Sequence, residues 1–253
     1  MTAAIDHYDR LLAAHYTWML GGDIEALATA QTELLRDLGL AVAPDEHAAA
    51  VDLGCGPGPQ TLALARLGYS SVAAVDTSAA LLDELRQHAR HDSTTTIQPV
   101  HDDIRGVLPR ITEPDSTTAI ACMGDTLPHL PTHTDVRELI TDVATSLRPG
   151  GSFVATYRDL THELHGPDRF IPVRSSPDRV LTCFLDFIDE NTAQIHDLLY
   201  TQDNNTWNLQ VSSYPKLRIS PQWLGDQCNT AGLHIRHHET SPNGMRVLHA
   251  QKP

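Results

Sequence analysis

Short apolar runs alternate with amphipathic segments along the middle of the chain. Runs rich in Ala, Val and Ile predict strands, and apolar residues three or four positions apart predict helices. The strands are predicted at 48–53, 71–76, 96–100, 117–122 and 152–157, and the helices at 59–67, 78–91 and 134–147, with a short turn at 103–108. Such alternation is typical of an α/β fold, a parallel sheet with helices on both faces.

A helix and a hairpin are predicted near the end of the chain. Ser220-Pro221 is a typical helix start, and Gly232 ends the helix. Segments 233–238 and 245–250 then pair across Pro242-Asn243-Gly244. With these two strands added, we expect a seven-stranded, mostly parallel sheet.

Two further units are predicted outside this sheet. Residues 1–42 contain two helices, at 3–20 and 23–39, that we expect to form a lid. Residues 158–218 carry three predicted strands, separated by turns rich in Asp and Asn. We therefore expect a main domain of residues 1–157 and 219–253, with residues 158–218 as an inserted antiparallel β cap that recognises the substrate. The three cap strands are predicted at 179–188, 193–200 and 207–214.

Three glycines at alternate positions follow the first predicted strand. Gly54, Gly56 and Gly58 come after Asp52, and a helical segment follows. Glycine permits the positive φ of such a turn and lets a ligand lie against the backbone, while the free N–H groups of the helix start attract a polar or anionic ligand. Asp76 ends the second strand, 18 residues after Gly58. A carboxylate there accepts hydrogen bonds from both ribose hydroxyls, so the pattern indicates a cofactor that contains adenosine.

Five segments resemble, in order and spacing, the motifs of class I S-adenosylmethionine (SAM)-dependent methyltransferases that act on small molecules. They are Val51–Gly58, Val75–Ser78, Val100–Ile104, Ala119–Asp125 and Leu147–Val154. The resemblance covers residues 45–157 and 219–251. It implies the Rossmann-like methyltransferase sheet, SAM as the cofactor and S-adenosylhomocysteine as the product.

The resemblance also implies which residues bind the cofactor. The glycine loop would lie against the methionine part, Asp76 would bind the ribose, and Asp103 would reach the adenine beside the apolar wall of Ile104. The lid and the end of the fourth strand would complete the site. The candidate residues are Tyr16, Trp18, Asp52, Gly54, Gly56, Gly58, Asp76, Thr77, Asp103, Ile104, Cys122 and Met123.

The loop after the fourth strand is the candidate catalytic segment. Met123–Leu130 is similar to the loop of glycine N-methyltransferase-like enzymes, which have asparagine where this chain has Asp125. Asp125 or His129 would orient or deprotonate the acceptor, and histidine is favoured because it titrates near neutral pH. Alternatively, both side chains hold the loop in place.

Other polar residues are expected at the same edge of the sheet. Tyr157 and Arg158 end the fifth strand and complete the candidate catalytic set. Arg158 would hold a substrate carboxylate by two parallel hydrogen bonds, or would pair with Asp159 instead. The candidate substrate-binding residues from the cap are Arg174, Tyr214 and Lys216.

The charge balance limits the expected partners. The formal net charge is −14, so the chain would repel a phosphate backbone and a nucleic-acid substrate is not expected. The apolar runs are shorter than a membrane span, and the first residues do not resemble a signal peptide. The four cysteines are far apart, as expected of reduced thiols in the cytoplasm. No histidine spacing matches a metal motif, and the oligomeric state stays open.

These patterns predict methyl transfer from SAM to a small-molecule acceptor, with an amino or carboxylic acid as the candidate. Two alternatives keep SAM: an enzyme that cyclises or cleaves it to release methylthioadenosine, and a SAM-binding protein without catalysis. A nucleotide-dependent dehydrogenase is disfavoured, because the glycine spacing and the terminal hairpin both disagree with it.

Overall fold

Two β-sheets organise the computed structural model, which describes residues 7–43, 47–91 and 95–253. The strands are β1 (Ala49–Leu53), β2 (Ser71–Asp76), β3 (Thr96–His101), β4 (Thr117–Cys122), β5 (Leu147–Arg158), β6 (Phe170–Ser176), β7 (Arg179–Phe187), β8 (Thr192–Asp203), β9 (Thr206–Leu217), β10 (His234–Thr240) and β11 (Met245–Gln251). The α-helices are α1 (Ala13–Met19), α2 (Ile24–Asp37), α3 (Pro59–Arg66), α4 (Ala79–His88), α5 (Leu108–Ile111), α6 (His133–Ser146) and α7 (Pro221–Thr230). A π-helical segment (Tyr8–Leu12) leads into α1, and short 3₁₀ segments lie at Ala89–His91, Leu127–His129 and Gly166–Arg169.

The larger sheet has seven strands in the order β10-β11-β5-β4-β1-β2-β3. Neighbouring strands from β5 to β3 run parallel, and β11 runs antiparallel to both β5 and β10. This arrangement confirms the predicted mostly parallel α/β sheet that ends in a hairpin. The carboxyl ends of β1, β2, β4 and β5 meet at one edge, where ligands bind in open α/β folds.

The central strands are buried on both faces, which explains their unbroken apolar runs. Side chains alternate along a strand, so Ile120 and Phe153 pack in one core while their neighbours Ala121 and Val154 pack in the other. Helices α6 and α7 contribute to the first core, and α2 and α3 contribute to the second. The sheet edge is therefore held between two packed layers.

The smaller sheet is the predicted cap, but it has four antiparallel strands and not three, in the order β6-β7-β8-β9. The prediction missed β6. Pro172 lies within this strand, and the pairing with β7 shifts register between Pro172 and Arg174. Proline is tolerated there because β6 is an edge strand.

The lid helices pack beneath the cap. Leu11 and Leu12 form a buried cluster with Leu181 of β7 and Leu199 of β8. Residues 3–6 of the predicted first helix lie outside the described residues. Helix α2 begins with an N-cap, because the Asp23 carboxylate accepts from the backbone N–H of Ala26. Among the described helices, none is long and apolar enough to cross a membrane.

Candidate active site

The glycine loop after β1 has no room for a side chain at Gly54 or at Gly58. Gly54 and Gly58 have φ angles of 73° and 99°, which only glycine adopts readily. A Cβ at Gly58 would lie 2.2 Å from Cδ1 of Leu85, and a Cβ at Gly54 would lie 2.4 Å from Cγ2 of Thr126. The loop is therefore packed against α4 on one side and against the loop after β4 on the other.

The carboxylate of Asp76 is fixed by this loop. Its Oδ2 accepts from the backbone N–H of Gly56 at 2.8 Å, and its Oδ1 accepts from the backbone N–H of Ser78 at 2.8 Å. Burial raises the pKa of Asp76, and these backbone N–H groups oppose the increase. Each oxygen keeps a lone pair, so the carboxylate is preorganised to accept two further hydrogen bonds, as a ribose diol requires.

A cavity opens beside Asp76. Eight of the predicted site residues line it: Tyr16, Gly54, Gly56, Asp76, Thr77, Asp103, Ile104 and His129. The sequence interpretation missed seven others: Tyr8, Leu81, Arg105, Gly124, Thr126, Leu130 and Pro131. Asp103 pairs with Arg105 at 2.6 Å. Burial alone would raise the pKa of Asp103, but the hydrogen bonds from Arg105 hold it below its ordinary value.

Aromatic rings form the wall of this cavity around His129. The His129 ring stacks on Tyr214 at a centroid distance of 5.2 Å and an angle of 15°, and it meets Tyr8 edge-on at 5.7 Å. Tyr8 in turn lies 5.6 Å from Tyr16. Burial, with smaller effects of Lys216 and His7, lowers the pKa of His129 well below its ordinary value. The ring is therefore neutral at pH 7, and its buried Nδ1 has no hydrogen-bond partner among the described residues.

Asp125 follows Gly124 in this loop and forms a buried ion pair with Lys216 of β9. The Oδ2 of Asp125 accepts from Lys216 Nζ, and its Oδ1 accepts from the backbone N–H of Arg158 at 2.8 Å. Asp125 has a φ of 73°, an unusual value for a residue other than glycine. Both carboxylate oxygens are thus used in holding the loop, which supports the loop-holding alternative for Asp125.

Several predicted site residues lie away from the cavity wall. The guanidinium groups of Arg174 and Arg179 lie over the ring of Trp18. Their Cζ atoms are 5.9 Å and 5.1 Å from the ring centroid. The Arg174 side chain also donates to the carbonyl of Gly21 at 3.2 Å. The structure therefore brings Trp18 and Arg174 together at the contact between lid and cap.

Tyr157 and Arg158, the last residues of β5, do not line the cavity either. Tyr157 is fully buried, its hydroxyl lies 3.0 Å from Nε2 of His238, and burial raises its pKa. The Arg158 side chain is exposed. Asp159, the expected partner of Arg158, instead pairs with Arg246 at 3.3 Å.

The remaining predicted residues lie beneath the glycine loop. Asp52 is buried and accepts from the hydroxyl of Thr61 at 2.6 Å. Burial raises the pKa of Asp52 to about 7, against the opposing effect of the Thr61 hydrogen bond. Cys122 is buried in the core, and Met123 lines a second cavity on the other side of the glycine loop. Among the described residues, no group of three potential ligands forms a metal site.

Comparisons with known proteins agree with this geometry. Residues 50–151 match the model of a family described as "Methyltransferase domain". This segment runs from β1 to β5 and contains the glycine loop, Asp76 and the loop that carries His129. No curated protein sequence matches the chain.

Solved structures share the fold over nearly the whole chain. An S-adenosylmethionine-dependent methyltransferase from Clostridium acetobutylicum ATCC 824 has a TM-score of 0.73 at 14% identity, over 95% of this chain and 97% of that chain. SAM-bound CalS10 from Micromonospora echinaspora, an amino pentose methyltransferase involved in calicheamicin biosynthesis, has a TM-score of 0.66 at 17% identity, over 95% of both chains. KedS8 from Streptoalloteichus sp ATCC 53650, a sugar N-methyltransferase, has a TM-score of 0.67 at 14% identity, over 92% of this chain and 89% of that chain.

The family match and the site together define the class. Residues 50–151 match a methyltransferase domain. Together with the shared fold, this match supports an enzyme of the class I methyltransferases with SAM as its cofactor. This finding confirms the resemblance drawn from the five motifs.

Proposed function

We propose that this enzyme methylates the amine nitrogen of a small molecule, and that an amino sugar is the acceptor to test first. The observation that carries the proposal is the neutral ring of His129 on the wall of the cofactor cavity. The descriptions of CalS10 as an amino pentose methyltransferase and of KedS8 as a sugar N-methyltransferase support an aminated sugar.

The residues of the first cavity fit the cofactor. When bound, SAM supplies a methyl group on a positively charged sulfur, which departs with the S–C electron pair in S-adenosylhomocysteine. The Asp76 carboxylate would accept from the ribose hydroxyls, and Ile104 would contact the adenine, with Asp103 near its amino group. Gly54 and Gly56 line this cavity without side chains and would let the methionine part lie against the backbone.

His129 would prepare the acceptor. An alkylamine in water is mostly protonated at pH 7, with a pKa near that of lysine, and its nitrogen then has no lone pair for attack. A buried aromatic wall disfavours the charged ammonium form. The neutral imidazole would accept a hydrogen bond from the amine N–H and orient the nitrogen lone pair toward the methyl group, and the N-methylammonium product would release its proton to solvent.

The charges near the site favour an amine over a carboxylic acid. Lys216 is paired with Asp125, Arg105 is paired with Asp103, and Arg174 donates to the carbonyl of Gly21. A carboxylate acceptor would have to compete for these cations, whereas a neutral amine has no such requirement.

We propose that the cap, residues 158–218, completes the site and contributes to substrate recognition from behind the aromatic wall. Tyr214 supports the ring of His129, and Lys216 holds Asp125. Tyr214 and Lys216 would thus act through His129 and Asp125 and not by touching the substrate, because neither side chain lines the first cavity.

Product analysis tests the proposed function. Methyl-labelled SAM would be incubated with the enzyme and with methyl glycosides of amino sugars, and the same glycosides with hydroxyl in place of amine would serve as controls. We expect labelled N-methyl sugar and an equal amount of S-adenosylhomocysteine. His129→Ala should lower the rate at least tenfold, and His133→Ala should not. Equal rates with hydroxyl and amine glycosides would contradict the proposal, and methylthioadenosine as the product would establish SAM cleavage or cyclisation.

A further inference from the structure

A second cavity lies beside the cofactor cavity. It lies between α2, the glycine loop and the turn that joins β10 to β11. The two cavities have a common wall formed by Tyr16, Gly54, Gly56 and Gly124. A molecule in the second cavity would therefore adjoin a cofactor in the first.

The walls of the two cavities differ in charge. The first is lined by Asp76, Asp103, Arg105 and His129, whereas no acidic, basic or histidine side chain is among the described residues that line the second. Its surface combines apolar side chains, such as Leu27 and Met245, with amides and hydroxyls. A carboxylate or phosphate would lose its hydration there without gaining a counter-charge, so the wall suits an uncharged ligand.

Gln31 and Gln60 contribute amide side chains to this wall. Gln60 is 9% exposed. The Oε1 of Gln31 is buried, without a partner among the described residues. Buried polar groups are normally hydrogen-bonded, so the unpaired Oε1 of Gln31 indicates a ligand that donates from a hydroxyl group, and the Gln60 amide in the same wall could bind a second hydroxyl.

Gln60 also marks the connection between the cavities. Its Nε2 lies 4.0 Å from the position that a Cβ would take at Gly124, and Gly124 belongs to both walls. The absence of a side chain at Gly124 leaves the boundary open beside the amide. A ligand bound to Gln60 would thus have a path toward the loop that carries His129.

We infer that the second cavity binds the uncharged body of the methyl acceptor, a hydroxylated ring with an apolar substituent, whose amine reaches the first cavity past Gly124. The inference rests on the proposed function, because it takes the ligand to be the acceptor. Gln31 and Gln60 would bind its hydroxyl groups, and the apolar side chains would contact its substituent.

A matched pair of probes tests this site. Binding of phenyl β-D-glucopyranoside would be measured by calorimetry with S-adenosylhomocysteine at saturation, beside phenyl β-D-glucuronide, which has the same ring but a carboxylate. We expect the neutral glucoside to bind and the glucuronide to bind at least tenfold more weakly. Gln60→Leu and Gln31→Leu should each weaken glucoside binding at least fivefold. The exposed Gln222→Leu should not, although it makes the same chemical change.

Binding of the cofactor product is the control. It shows whether the variants are folded and whether the second cavity belongs to the cofactor instead of the acceptor. We expect S-adenosylhomocysteine to bind both cavity variants as it binds the wild type. The inference is overturned if the glucoside does not bind, if neither variant weakens it, or if Gln60→Leu weakens the cofactor as much as the probe, because the cavity would then belong to the cofactor. The probe has no amine, so failure here would not affect the proposed methyl transfer, which the labelled-methyl assay tests separately.

Discussion

Lys216 of the cap strand β9 is paired with Asp125 in the loop after β4, and both residues are almost completely buried, with 8% and 9% of their surface exposed. The partners are 91 positions apart in the chain. Because Asp125 also accepts from the backbone of Arg158, the pair connects the cap, the loop of His129 and the end of β5.

Breaking this pair should destabilise the protein strongly. Lys216→Met leaves the Asp125 carboxylate buried without its counter-charge, which costs about 3–5 kcal/mol in comparable buried pairs. Urea denaturation would measure the loss in unfolding free energy. Lys252→Met is the matched control, because Lys252 pairs with the exposed Asp115 and should lose less than about 1 kcal/mol.

A double substitution separates the pair from its surroundings. Lys216→Met combined with Asp125→Asn removes both charges, so its loss should be smaller than the sum of the two single losses. Additive losses would show that the ion pair does not couple the cap to the loop.

Replacing Asp76 should weaken cofactor binding without unfolding the protein. Asp76→Ala removes the acceptor of the ribose hydroxyls, and the loss of such a contact costs about 1–3 kcal/mol, or roughly 5- to 150-fold in affinity. Calorimetry with S-adenosylhomocysteine measures the change. The control is Asp83→Ala on the exposed face of α4. Unchanged affinity in the Asp76 variant would refute the role of this carboxylate.

The cofactor site could be predicted largely from the sequence because its contacts are local in the motifs. Gly56 lies in the loop that follows β1 and Asp76 ends the neighbouring parallel strand β2, so the strand order brings them together. The aromatic wall could not be predicted, since Tyr214 reaches His129 from a different sheet. The contact between Trp18 and Arg174 could not be predicted for the same reason. The two residues are far apart in the chain, and no sequence pattern indicates that they meet away from the cavity.

The low pKa of His129 should appear in the pH dependence of stability. The unfolded ring titrates near 6.5, whereas burial lowers the pKa in the folded state, so the unfolded chain binds more protons as the pH falls below 6.5. Stability is therefore full above pH 6.5 and falls by up to about 1.4 kcal/mol per pH unit below it. Denaturation at pH 5 to 7 should show a smaller slope for His129→Gln than for the wild type. An unchanged slope in the His129 variant would contradict the prediction.

Asp52 should have the opposite pH dependence. Its pKa is raised to about 7 in the folded state from 3.8, mainly by burial, so the folded protein binds the extra proton in this window and loses stability as the pH rises through it. Asp52→Asn keeps an acceptor for the Thr61 hydroxyl but cannot ionise. Relative to wild type, the variant should gain stability between pH 4 and 7, by roughly 4 kcal/mol at most for a shift of about three units. A constant difference across this range would exclude ionisation of Asp52 as the cause.

The contact between Gly54 and Thr126 should transmit a change in the cofactor loop to the catalytic loop. A Cβ at Gly54 would lie 2.4 Å from Cγ2 and 2.6 Å from Oγ1 of Thr126, whose hydroxyl donates to the carbonyl of Met123 at 2.9 Å. Gly54→Ala must therefore displace Thr126, and with it the loop of His129. We expect methyl transfer to fall at least tenfold.

Two further variants distinguish this clash from simple backbone strain. Gly106 also has a positive φ, 59°, but a Cβ there would meet nothing within 4 Å, so Gly106→Ala carries the strain without the clash and should retain activity. Adding Thr126→Ala to Gly54→Ala removes the two closest atoms and should restore part of the lost rate. If the double variant is no better than Gly54→Ala while Gly106→Ala is equally impaired, the cause is the positive φ and not the contact between the loops.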